Sequence, residues 1–179
     1  GQAVKLTRQA DGVYYYDVNG AEGFVTGEDG KAAIYYIPAG IYTVRETTTE
    51  ATGYATPKDV TATVADTNGS AAPATVRFEN APITLEFNKS DALTKEPLDG
   101  GIFQLKDESG AIVKLKEIEA GSYRPDANGA ETFTTKNGEA VIRYLTPQQY
   151  TIVEKIPPQG FKADSPKTVA VSAQNDVSN

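Results

Sequence analysis

The chain has 179 residues, 39% of them hydrophobic, which is enough for one large or two small packed cores. Its net charge of −7 repels phosphate backbones and anionic lipid, and no apolar run is long enough to span a membrane, so nucleic acid and membrane insertion are excluded. With neither Cys nor His, disulfides, the usual zinc centres, thiol nucleophiles and Ser-His-Asp triads are unavailable, and no metal or cofactor is expected.

Short runs of Val, Ile, Thr and Tyr, broken by NG, DG and PxG turn signals and lacking a helical period, predict an all-β chain. AVKLTR, from Ala3, is the first run, with Val4 and Leu6 facing inward. GVYYYDV, residues 12 to 18, comes next; alternate rings of this run are exposed, with Tyr14 and Tyr16 as candidate ligand contacts, against the plainer reading of half-buried strand aromatics. DxNG at Asp17 and Asp126 and DG at Asp29 lack the ligand count of a calcium loop and read as turns.

Successive strand residues face opposite ways. In YTVRE, residues 42 to 46, Tyr42, Val44 and Glu46 therefore share the core side, opposite Thr43 and Arg45. In TVRFEN, residues 75 to 80, Val76, Phe78 and Asn80 share it. ITLEFNK, residues 83 to 89, places Lys89 with Ile83, Leu85 and Phe87, and YTIVE, residues 150 to 154, places Glu154 with Tyr150 and Ile152.

The chain reads as two copies of one unit. DVNGAEGFVTGEDGKAAIYYIPAGIYTVRE, from Asp17, lies over DANGAETFTTKNGEAVIRYLTPQQYTIVE, from Asp126, at a period of about 108 residues, the separation of Glu46 from Glu154. Upstream, AVKLTR aligns with IFQLKD, from Ile102. The expected organisation is two tandem antiparallel β-sandwiches, residues 1–81 and 82–179, joined at ENAPIT by a linker too short to be flexible. In this register residues 82 to 101 lack a counterpart in the first copy and residues 71 to 80 lack one in the second. The first domain is then expected to lack its first strand, the second its last. No secretion signal or cell-wall sorting tail is found, so an excised mature fragment is expected.

One complete unit thus offers an inward Lys, Glu and Asn from three strands. Burial disfavours each charged form, so an apolar site is expected to lower the lysine pKa and raise the glutamate pKa. A neutral amine can attack the asparagine carboxamide carbon while a protonated glutamate polarises the carbonyl and shuttles the proton. Ammonia leaves, and the product is an intramolecular isopeptide bond. The alternative is an ordinary buried ion pair with asparagine hydrogen-bonded beside it.

YTVRETTTEATGY and YTIVEKIPPQGF resemble the E-box of CnaB-type (SpaA-like, prealbumin-like) domains of Gram-positive pilins and surface adhesins. FNKSDALTKEPLDGGIFQL resembles that family's lysine strand and the Pro-Leu-x-Gly turn after it, and RFENAP its closing strand. The resemblance implies transthyretin/Ig-like sandwiches with autocatalytic Lys-Asn bonds. It makes Lys89 the amine, Glu46 and Glu154 the catalysts and Asn80 an acceptor, with Asn175 and Asn179 as fallback acceptors for Lys89. It further implies a stalk or shaft module of a secreted, cell-wall-anchored protein whose partners are neighbouring domains of the same protein, the anchor lying outside this fragment. Such a module performs only single-turnover self-crosslinking and is not an enzyme. The other reading is a module binding a host matrix protein or glycan through Tyr-rich loops.

Overall fold

A computed structural model describes residues 1–47, 52–66 and 73–173. Its regular elements are strands, with no α-helix among the described residues. The contacts divide the chain into two units, Gly1–Val44 with Asp59–Arg77, and Arg45–Lys58 with Phe78–Asn179.

In the first unit, β1 (Lys5–Ala10), β2 (Val13–Tyr16), β3 (Ala21–Glu22) and β4 (Ala33–Tyr35) form one sheet in the order β3-β1-β2-β4. A separate antiparallel pair joins β5 (Gly40–Val44) to β6 (Val60–Val64). Leu6 and Tyr14 are the hydrophobic residues of this unit that are fully buried among those described.

The second unit is a sandwich. One sheet takes the order β7-β12-β10-β9, from β7 (Thr84–Asn88), β9 (Leu115–Glu119), β10 (Ser122–Pro125) and β12 (Glu139–Arg143). The other takes the order β11-β8-β13-β14, from β8 (Ile102–Lys106), β11 (Phe133–Thr134), β13 (Gln148–Ile156) and β14 (Lys167–Val171). Their apolar faces meet in one core that includes Ile83, Leu85, Phe103, Leu105, Phe133, Ile142 and Ile152. The alternation of ITLEFNK is preserved: Ile83 and Leu85 are buried, Phe87 and Lys89 half-buried, and Glu86 and Asn88 exposed.

Repeated contacts give the internal register of the two copies. The amide of Asp17 donates to the carbonyl of Lys5, as that of Asp126 does to Lys114. Gly20 lies so close to the backbone of Leu6 that a Cβ would come within 2.4 Å of its oxygen, and Gly129 meets Leu115 at 2.5 Å in the same way. The Tyr14 hydroxyl donates to the Val25 carbonyl and that of Tyr123 to the Thr134 carbonyl, both at 3.1 Å. The Tyr42 hydroxyl reaches the Pro38 carbonyl at 2.8 Å, as that of Tyr150 reaches Thr146 at 2.9 Å. Tyr36 and Tyr144, at equivalent positions, both adopt positive φ, 61° and 63°.

This register corrects one alignment. AVKLTR is the counterpart of IVKLKE, from Ile112, and β1 corresponds to β9 rather than to β8. β7 and β8 therefore both lack counterparts among the described residues of the first unit. The packing of the two copies differs accordingly. Phe133 pairs with Phe103 of β8 and is 2% exposed, whereas its equivalent, Phe24, is 39% exposed. Likewise β13 is flanked by β8 and β14 and runs on to Ile156, whereas β5 pairs with β6 and ends at Val44.

Residues 73–81 keep the predicted alternation, with Val76, Phe78 and Asn80 half-buried and Thr75, Arg77 and Glu79 exposed, but they form no strand. Alternation records which side faces the protein; a strand also needs a ladder of backbone partners.

Candidate functional site

Lys89 lies just past the end of β7, an edge strand of its sheet, and β13 carries Glu154 opposite Phe103 of β8. The P-L-D-G turn fixes the segment around the lysine. The Asp99 carboxylate accepts the amides of Gly138 and Asn137 at 2.8 and 3.0 Å, and the Leu98 amide donates to the Lys89 carbonyl at 3.0 Å. The two predicted residues meet: Lys89 Nζ stands 3.2 Å from Glu154 Oε1 and 3.3 Å from Oε2, with side chains only 10% and 2% exposed. Glu154 Oε1 is buried and accepts no aligned hydrogen bond among the described residues. A cavity of about 100 Å³ opens beside the pair, lined by Phe87, Phe103, Ile152, Glu154 and Asp164 among others.

Asp164 is the residue the sequence reading missed. Its Oδ2 lies 3.1 Å from Lys89 Nζ, and its backbone amide donates to Glu154 Oε2 at 2.6 Å. Burial pushes the Lys89 pKa down, but hydrogen bonds to Asp164 and Glu154, together with their charges, outweigh it and hold the group above its ordinary value. This reverses the lowering expected from an apolar site, because the cavity brings two carboxylates with it. The hydrogen bond and charge of Lys89 in turn hold the Asp164 carboxyl below its usual range. One sequence signal marked this position: the spacing from Gly160-Phe161 to Pro166-Lys167 is two residues longer than from Gly53-Tyr54 to Pro57-Lys58.

Glu46 and Asn80 also meet, both within the second unit, where Asn80 Nδ2 donates to Glu46 Oε1 at 2.9 Å. Glu46 lies two residues beyond β5 and is half-buried. Asn175 and Asn179 fall outside the described residues.

The remaining candidates resolve differently. Asp17, Asp29 and Asp126 each accept the amide two residues on, at 2.9, 3.0 and 2.9 Å, as turn-forming side chains do. Tyr14 is buried, with its hydroxyl tied to Val25, and Tyr16 is half-buried, so neither is the open ring expected of it. The exposed ring is Tyr15, which packs against Tyr35 and Tyr36 at centroid separations of 6.0 and 4.9 Å. Tyr35 and Tyr36 lie at the end of β4, a pairing not readable from the GVYYYDV run alone.

The profile of the SpaA prealbumin-like fold domain matches residues 83–179. The chain belongs to this family. No curated protein matches it. Among solved structures, it is similar to the shaft pilin SpaA from Lactobacillus rhamnosus GG at 25% identity and a TM-score of 0.45, covering 82% of this chain and 64% of that one. It is similar also to a backbone pilin of Streptococcus pyogenes, at 23% identity and a TM-score of 0.38 over 50% of this chain and 16% of that one. The group B streptococcus pilus 2b backbone protein is similar at 24% identity and a TM-score of 0.41, over 63% and 40%. The chain thus spans less than two thirds of each. The all-β, prealbumin-like architecture of the SpaA domain is the fold described above.

Proposed function

We propose that this chain is a structural stalk or shaft segment of a Gram-positive surface adhesin or pilin, exported and held at the cell wall, built of two modules divided near residue 81. Its chemistry is one self-crosslinking event per complete module, from lysine to asparagine. The observation that carries this reading is the complementarity of the two glutamate sites. At Glu46, Oε1 accepts the carboxamide Nδ2 of Asn80. At Glu154, Oε1 is buried without an aligned donor and borders a cavity, while the carboxylate holds Lys89. Superposing the two by their shared position in the repeat gives one set of amine, carboxylate and carboxamide.

The reaction balances within that set. Lys89 passes a proton to Glu154, and the neutral amine attacks the carboxamide carbon. The C–N bond to the carboxamide nitrogen breaks, and ammonia leaves with the lysine's extra proton as ammonium. Glu154 returns to carboxylate. Glu46 fills the catalytic role beside Asn80.

Mass spectrometry tests the assignment. The chain as it stands is expected at its full sequence mass, because Lys89 and Asn80 belong to different glutamates. Appending a further copy of residues 73–81 after Asn179 supplies an acceptor strand for Lys89, and the extended chain is expected to lose one ammonia. Glu154→Ala should restore the full mass. An extended chain that keeps its full mass refutes the assignment, and an ammonia deficit in the unextended chain transfers the acceptor role to Asn175 or Asn179.

The cluster of Tyr15, Tyr35 and Tyr36 favours a second reading, recognition of a host matrix protein or glycan by stacking on exposed rings. Binding to a glycan or matrix array should then fall at least tenfold in Tyr15→Ala and Tyr36→Ala. An unchanged array signal dismisses this reading.

A further inference from the structure

We propose that Asp164 is a positioning residue that caps the Lys89–Glu154 pair, holding the Lys89 amine as ammonium until an acceptor strand enters the cavity. The inference rests on the crosslinking reading and adds a control on it. Two observations carry it.

Asp164 touches both reacting partners at once. Its carboxylate stands 3.1 Å from the Lys89 amine, and its backbone amide donates at 2.6 Å to Glu154 Oε2, the carboxylate oxygen other than Oε1, which lacks an aligned donor among the described residues. An acceptor carboxamide must be attacked by a neutral amine beside a protonated glutamate. The first contact from Asp164 opposes that state, because a carboxylate next to the amine favours ammonium, and the second ties the Asp164 backbone to the same pair. The position is also accessible to displacement. The Asp164 side chain is 63% exposed while Lys89 and Glu154 are nearly enclosed, so an entering strand can push Asp164 into water at little cost but cannot separate the pair.

Asp164 lies in the segment after Phe161, which is two residues longer than its counterpart after Tyr54 in the first copy. The charged groups lining the cavity are Lys89, Glu154, Asp164 and Lys167, and Lys167 supports the Asp164 charge without touching the amine. Removing Asp164 therefore leaves Glu154 as the sole carboxylate against Lys89 among the described residues.

The test reads Lys89 itself and does not require a crosslink. The 179-residue chain and its Asp164→Ala and Asp164→Glu variants are acetylated with an amine-reactive ester from pH 6 to 11, and modification of Lys89 is followed by peptide mapping. The midpoint of the rate profile reports the amine's pKa, and the plateau at high pH reports access to reagent. In Asp164→Ala the midpoint should move to lower pH and the rate at pH 8 rise at least threefold relative to the plateau. Asp164→Glu should restore the wild-type midpoint. With the appended acceptor strand, Asp164→Ala should also lose ammonia faster than the parent. An unchanged midpoint overturns the proposal, as does a wild-type Lys89 found already bonded, whether to Asp164 with loss of water or to an asparagine with loss of ammonia. If the midpoint shifts but no extended chain ever crosslinks, Asp164 holds the amine as described and the crosslinking reading is what fails.

Discussion

Closing the Lys89 crosslink should raise the stability of the second unit by up to about 5 kcal/mol, because it ties a loop of about 100 residues and removes that freedom from the unfolded chain. The comparison that isolates the bond uses the chain extended by a second copy of residues 73–81 and the same chain with the appended asparagine changed to alanine. Both supply the same strand to the edge beside β7, so backbone pairing and apolar burial cancel, and only the amide differs. For a domain of this size the difference corresponds to an increase in Tm on the order of 20 °C. The bonded chain should also survive boiling in detergent with its loop closed, migrating faster than its alanine control. A crosslinked chain whose midpoint matches that of the control would show that the bond ties together points already constrained in the unfolded state.

The second large effect is expected from Phe103→Ala. Phe103 is 2% exposed and packs edge-on against Phe87 at 4.7 Å and tilted against Phe133 at 5.6 Å, at the centre of the core of the second unit. Truncation removes the buried ring, leaves a cavity that rigid neighbouring strands cannot close, and breaks two aromatic contacts, for a cost of about 3 to 5 kcal/mol. Phe24→Ala provides the contrast, since this ring occupies the place of Phe133 in the first copy and remains 39% exposed. Its removal should cost well under half as much. Urea unfolding followed by amide exchange at Leu105 and Ile152 measures the first variant within its own unit. A loss below about 1 kcal/mol for Phe103→Ala would mean that this core repacks freely, and the assignment of rigidity to it would be wrong.

In a stalk under tension the proposed crosslink would have a mechanical sense: a covalent tie between the first strand of a module and the strand that completes it would carry force past the intervening strands, which then need not unzip. The role proposed for Asp164 would complement this, since a lysine kept charged is less open to adventitious acylation.

Much of this molecule was determined by sequence alone. Alternation in ITLEFNK and YTIVE placed Lys89 and Glu154 on the core side, and the structure brings them to 3.2 Å, because a period of two leaves a strand residue only two faces to choose from. Asn80 and Glu46 were placed by the same rule, and the duplicated DxNG and tyrosine positions announced two copies. What sequence left open was register and partnership. AVKLTR fits both IFQLKD and IVKLKE as a string, and only the contacts of Asp17 with Lys5 and of Gly20 with Leu6 decide for the second. Which tyrosine is exposed depended on the hydroxyl of Tyr14 finding the backbone of Val25, and the charge state of Lys89 on Asp164 arriving from a loop distant in the chain. Local pattern fixes which way a side chain points, whereas the partner it meets there is chosen by tertiary packing, through contacts between residues that no local spacing relates.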